Sequence, residues 1–162
     1  MESTNIIHES FKHGYNFKIG NFCVIEEDVV VGNNVQIENY VLLRKGTTIL
    51  DGVFIDSYVR SSGQNIIGKN VTLRYGCTIA KEVIIRDNVY VSPHVMTIFS
   101  NPKGKSEGEI IIGKNVFIGT AAVIGSGVTI GNNVIIGAMA YVNKNCLFGG
   151  TYIGAPAKRI ER

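Results

Sequence analysis

Two groups of residues could do chemistry in this sequence. His94, in the segment NVYVSPHV, carries an imidazole, the kind of group that can take a proton from an attacking nucleophile. Just after it, residues 98–111 read IFSNPKGKSEGEII and place Ser100, Asn101, Lys103 and Lys105 together in a stretch rich in Pro, Gly and Lys. Such a stretch cannot fill an apolar interior, so it must leave the body of the protein as a loop, where function tends to sit. A tolerated surface insertion is the plainer alternative. The other two histidines, His8 and His13, lie far away at the N-terminus and read as capping or surface residues.

What must hold these groups is a repeat. From Ile112 to Val142 an aliphatic residue returns every six positions, at Ile112, Ile118, Ile124, Ile130, Ile136 and Val142. The first five are each followed by glycine. Four positions after each aliphatic comes a smaller residue, namely Val116, Ala122, Val128, Val134, Ala140 and Cys146. A period of six is neither the 3.6 of a helix nor the alternation of a strand, and it marks a repeated short strand and tight turn. The same frame runs unbroken from Ile19 to Thr97. Of the twenty positions in the two stretches together, all but Ser61 and Thr97 are Ile, Leu or Val, where a composition 45% hydrophobic would place about nine.

These repeats predict a prism with three flat faces and eighteen residues per coil, its aliphatics pointing inwards and its small residues packed near the corners. Stability would then be a sum over neighbouring coils. Glycine after the aliphatic is expected to permit turn conformations that a Cβ opposes. Asn33, Asn34, Asn70, Asn115, Asn132 and Asn133 fall at turns, where Asn tolerates a left-handed backbone. All three cysteines, Cys23, Cys77 and Cys146, fall on the small interior position and read as buried hydrophobes. Stacking by eighteen puts Phe22, Tyr40, Tyr58, Gly76 and His94 in one column. That column reads as an aromatic ladder, with a nucleotide site or a subunit interface as the functional alternative.

The repeat resembles that of the hexapeptide-repeat acyltransferases, over nearly the whole chain. The resemblance implies an all-β, left-handed parallel β-helix of about seven coils with one protruding loop. The expected organisation is a single domain over 1–162, with an N-terminal cap at 1–18, the loop at 98–111 and a closing segment at 147–162. By the same resemblance the loop binds the acceptor. Galactoside-type O-acetyltransferases of this family carry a histidine followed by proline there, whereas this chain has Asn101 and Pro102. A sugar hydroxyl needs a general base to attack a thioester, but a sugar amine does not need one to the same degree.

The resemblance therefore implies an acetyl-CoA-dependent N-acetyltransferase acting on a nucleotide-linked amino-deoxysugar in surface glycan synthesis. His94 and Asn101 would be catalytic, and Tyr58, Ser100, Asn101 and Lys103 would contact the acceptor. IGTAAVI, IGAMAYVNK and YIGAPAKRIER resemble coenzyme A-binding coils. They imply contacts from Gly119, Thr120 and Ala138 to the pantetheine and from Asn143, Lys144, Lys158 and Arg159 to the phosphates. Homotrimers, with sites between prisms, are expected from the family.

Two alternatives stay open: a saccharide O-acetyltransferase using His94 as base, and a non-catalytic β-helix scaffold. A γ-class carbonic anhydrase needs three histidine ligands, and His8 and His13 are many coils from His94, so no metal is expected. A net charge of +3 without a Lys/Arg run gives no support to nucleic-acid binding. No apolar run is long enough to span a bilayer and MESTNIIHES does not read as a signal peptide, so no membrane partner and a cytoplasmic location are expected.

Overall fold

The computed structural model describes residues 4–160. Among them, strands of mostly two residues form three sheets of eight, seven and nine strands. Nearly every strand pairs in parallel with one eighteen residues away, as in Ile25↔Leu43 and Leu43↔Ser61, and among the described strands only the last, Lys158–Ile160, pairs antiparallel. In nearly every strand the second residue is buried and the first faces out, which is why an inward aliphatic recurs every six residues. The architecture is the expected all-β helix. It has about eight coils rather than seven, because residues 6–19 already form three regular strands that pair with the next coil. At that open end Phe11 and Phe17 pack against the core, and the exposed His13 ring stacks on Phe17 at 4.8 Å.

The glycines after the aliphatics have a different reason from the one expected. Gly113, Gly119, Gly125, Gly131 and Gly137 are absent from the positive-φ positions, which fall two residues later, at Asn115, Ala121, Gly127, Asn133 and Met139. A Cβ at Gly113 would meet the Gly131 carbonyl carbon at 2.7 Å, so close stacking of coils demands the glycine. The asparagines divide likewise. Asn34, Asn70, Asn115 and Asn133 have φ of 54–57°, whereas Asn33 and Asn132 are not left-handed. Their Oδ1 atoms accept the backbone N–H of Tyr15 and of Lys114 in the preceding coil.

The three cysteines are buried at the small corner position, as expected. Burial pushes the Cys77 and Cys146 thiols from the usual 9.0 up to about 11. A raised folded-state value means that the unfolded chain ionises first, so stability is complete below pH ~9 and is lost as pH rises towards about 11. We expect urea midpoints to fall between pH 8 and pH 10.5, and to fall less in a Cys77→Ala, Cys146→Ala double variant. Equal slopes in the two proteins would show that other groups control alkaline unfolding.

Candidate functional site

The two polar exceptions in the inward frame, Ser61 and Thr97, are joined through Asn65 and Ala80 by buried hydrogen bonds beside the point where the loop leaves. Ser61 Oγ bonds Thr47 Oγ1 at 2.7 Å and donates to Asn65 Oδ1 at 2.6 Å, while Asn65 Nδ2 donates to the Ala80 carbonyl at 2.6 Å. Thr97 is the last inward residue before the chain leaves the prism. Its strand shares only the pair Thr78↔Met96 with the preceding coil, because the ladder breaks there. Thr97 Oγ1 accepts the Ala80 N–H at 2.6 Å, a bond that a backbone carbonyl would supply in an uninterrupted coil.

The excursion is larger than the sequence frame suggests. A shift of three positions modulo six is in space an insertion of nine residues, since Ile84 pairs with Ile111, twenty-seven residues on instead of eighteen. The chain re-enters at Ile110, which is buried, and Ile111 is already in a strand. Both ends of the excursion are held by one hydroxyl on the next coil: Ser126 Oγ donates to the Phe99 carbonyl at 2.7 Å and accepts the Glu107 N–H at 3.0 Å. Within the loop, Ser100 and Ser106 form an antiparallel bridge. Asn101 Oδ1 accepts the N–H groups of Lys103 and Lys105, at 2.9 and 3.2 Å, and its Nδ2 donates to Glu107 Oε1 at 3.1 Å.

Between this loop and the next two coils lies a cleft of about 460 Å³, lined by Ile98, Ser100, Asn101, Pro102, Glu107, Gly125, Ser126, Tyr141 and Asn143. It brings the predicted acceptor residues Ser100 and Asn101 beside the predicted donor residue Asn143. Lys103 and Lys144 are exposed nearby in sequence and do not line it. Glu107, Ser126 and Tyr141 line it without having been singled out. Only the nine-residue offset brings Glu107 onto Ser126, so the repeat frame gave no sign of it.

His94 and Tyr58 lie elsewhere. The loop leaves the corner after strand Met96–Thr97, and His94 sits at the corner before it, with that face of the prism between them. Four residues of extended chain separate the two corners by roughly 13 Å. At the His94 corner the predicted column is real: Phe22 on Tyr40 at 5.1 Å, Tyr40 on Tyr58 at 4.9 Å, then Tyr58 to Tyr75 and Tyr75 to His94, both at 5.4 Å. Tyr75 continues the ladder where Gly76 has no ring, and Gly76 leaves room for the exposed His94 imidazole, which a Cβ would approach to 2.7 Å. Tyr58 is thus a ladder residue on this chain.

The same corner carries Gly119, Thr120 and Ala138, and the register Ile153↔Lys158 sets Lys158 at its end. Gly119 is buried, its N–H spent on Ile136 O, and a Cβ there would run into the backbone of Gly137 and Ala138. Thr120 and Ala138 are exposed. In the early coils the corresponding N–H groups are satisfied by side chains one coil on, Asn21 N–H by Asn39 Oδ1 and Asn39 N–H by Ser57 Oγ. Ala138 offers no such acceptor to Thr120, and among the described residues neither N–H donates within the protein. Two exposed backbone donors one coil apart, with a lysine beyond them, fit amide carbonyls followed by phosphate. Arg159 is partly committed, donating to the Gly149 carbonyl at 2.7 Å.

No group of three or more His, Cys, Asp or Glu that could hold a metal occurs among the described residues, and no helix there is long and apolar enough to cross a membrane.

Residues 2–100 match the family model described as GMPPB C-terminal domain, and residues 109–144 match Bacterial transferase hexapeptide (six repeats). Residues 101–108 of the loop fall between the two matches. No curated protein sequence matches the chain. Among solved structures, UDP-N-acetylglucosamine acyltransferase from Campylobacter jejuni aligns with a TM-score of 0.69 and 16% identity, over 98% of this chain and 73% of that one. A variant of GDP-perosamine N-acetyltransferase from Caulobacter crescentus, in complex with CoA and GDP-perosamine, gives 0.54 and 19%, over 99% and 58%. The acetyltransferase domain of PglB from Neisseria gonorrhoeae gives 0.52 and 20%, over 96% and 57%. At these identities the likeness establishes the fold, and the chain spans less than two thirds of the last two.

Proposed function

From a chain that belongs to the GMPPB C-terminal domain family and continues into bacterial transferase hexapeptide repeats, we propose an acetyl-CoA-dependent N-acetyltransferase acting on a nucleotide-linked amino-deoxysugar. The observation that carries this reading is the loop cleft, which combines the polar loop groups of Ser100 and Asn101 with Asn143. The loop has Asn101 and Pro102 where O-acetyltransferases of the family carry a histidine and a proline, and an amine suits such a loop because its lone pair is available near pH 8 without a strong base. The solved structures with CoA and with nucleotide-linked amino sugars share this fold and support the reading.

The chain's own groups then have distinct roles. The Thr120 and Ala138 N–H groups bind the pantetheine amides, and Lys158, with Arg159, Asn143 and Lys144 as outer contacts, faces the phosphates. Backbone N–H groups stabilise the oxyanion as the amine attacks the thioester and the thiolate leaves. Asn101 holds the loop's shape. The corner and the cleft lie on opposite edges of one face, so a site that uses both forms between protomers, and a homotrimer in the cytoplasm is the assembly we assign.

Release of coenzyme A thiol from acetyl-CoA, over a panel of nucleotide-linked 3-amino and 4-amino deoxysugars and hydroxyl-only sugars, tests this. We expect turnover confined to amino sugars, with His94→Ala keeping at least about a tenth of it, since a general base contributes about 100-fold or more where it is needed. Turnover of hydroxyl acceptors that vanishes in His94→Ala would replace the reading with an O-acetyltransferase.

A further inference from the structure

Among the described residues of one protomer, Glu107 supplies the one formally charged side chain lining the loop cleft. Its position is determined twice over. The backbone N–H is fixed by Ser126 Oγ at 3.0 Å, and carboxylate Oε1 accepts Asn101 Nδ2 at 3.1 Å. Among the described residues it forms no ion pair, although Lys103 and Lys105 lie in the same loop. A carboxylate with one oxygen held by a neutral amide leaves the second oxygen for a ligand. The rest of the lining offers neutral groups from Ser100, Asn101, Ser126, Tyr141 and Asn143. A small polar cleft with a single negative charge favours a cationic or strongly N–H-donating group over a hydroxyl or a phosphate.

We propose that Glu107 Oε2 recognises the acceptor's amino group and accepts its proton during transfer. This rests on the N-acetyltransferase reading and narrows it to acceptors with a primary amine. Binding places an N–H of the neutral amine on Oε2. The nitrogen lone pair forms the C–N bond to the thioester carbonyl, the C–S bond breaks, the nitrogen's proton passes to Oε2, and from there it goes to the departing thiolate. The products are the amide and free coenzyme A thiol, and Glu107 returns to its starting charge. Asn101 acts here as a positioning residue, since it aims the carboxylate and does not meet the acceptor through its own oxygen.

Glu107→Gln separates charge from scaffolding, because the glutamine carbonyl still accepts from Asn101 Nδ2. The probes are acetyl-CoA with dTDP-4-amino-4,6-dideoxyglucose, GDP-perosamine and the rest of the amino-sugar panel, and the 4-hydroxyl counterpart of each 4-amino sugar as a competitive ligand. For the best amine we expect kcat/KM to fall about 100-fold or more in Glu107→Gln, with KM for acetyl-CoA unchanged and the thermal midpoint within about 2 °C. The wild-type preference for binding the amine over its hydroxyl counterpart should disappear, and Glu107→Asp should restore part of the rate. Wild-type kinetics and selectivity in Glu107→Gln would overturn the proposal while leaving the N-acetyltransferase reading intact. A wild-type protein that turns over no amine in the panel would remove that reading and this inference with it.

Discussion

Replacing Gly127 by alanine should lower the proposed acetyl transfer by about 100-fold, the loss that follows when a reacting group is displaced by about an ångström. Gly127 adopts φ +70°, and a Cβ there would lie 2.6 Å from the Glu107 carbonyl oxygen and 3.0 Å from its carbon. Both are backbone atoms of a loop already fastened at Glu107 N–H to Ser126, so the loop cannot relieve the contact by turning a side chain. It must move away from the coil, taking the cleft lining with it. The left-handed conformation adds about 1–2 kcal/mol of strain for a residue with a Cβ. Gly104→Ala is the matched control. Gly104 has φ +72° in the same loop, with nothing within 4 Å of a Cβ, so alanine there bears the strain without the collision. Near-wild-type turnover in Gly104→Ala beside a large loss in Gly127→Ala would locate the cause in the displaced loop. Equal losses would show that backbone strain alone is responsible and that the close approach to Glu107 is unimportant.

Thr97→Val should destabilise the protein by about 1–3 kcal/mol, the cost of leaving a buried donor unsatisfied. The substitution preserves shape and removes only the hydroxyl that accepts the Ala80 N–H, beneath a residue that is 5% exposed. For a chain of this length that corresponds to a fall of about 3–10 °C in Tm. Stability in a stacked-coil protein is a sum over neighbours, so the effect should also be local. Exchange of the Ala80 amide hydrogen should accelerate, while amides in the coils around Ile25 should change little. Thr97→Ser keeps the acceptor and loses one methyl, so it should recover most of the stability. A valine variant as stable as wild type would mean that the Ala80 N–H finds another acceptor when the loop is present.

The fold was legible because one physical requirement repeats. Every inward position faces a dry interior, and the chain states this at Ile25, Leu43, Ile55, Ile67 and onwards to Val142. The same frame exposed its own exceptions, Ser61 and Thr97, which turn out to belong to the buried polar chain under the loop. The aromatic column from Phe22 to Tyr58 was legible for the same reason, since stacking by eighteen needs only the period. The reason for the glycines after each aliphatic was not. Sequence offers conformational freedom as the explanation, whereas the controlling quantity is the distance to the next coil, which no single repeat contains.

The candidate site divides along the same line. The sequence by itself determined the prism, its inward residues, the place where a loop must leave it and the polar character of that loop, because hydrophobic burial is written residue by residue along the chain. Tertiary structure alone decided that His94 and Asn101, seven residues apart, occupy opposite edges of one face. It also decided that Thr120 and Ala138 present N–H groups with no acceptor among the described residues, and that Glu107 reaches Asn101 and Ser126. Those relations join residues in different coils or across an insertion of nine residues. They depend on the offset between coils and on which neighbours lack an acceptor, and neither quantity has a local pattern in the chain.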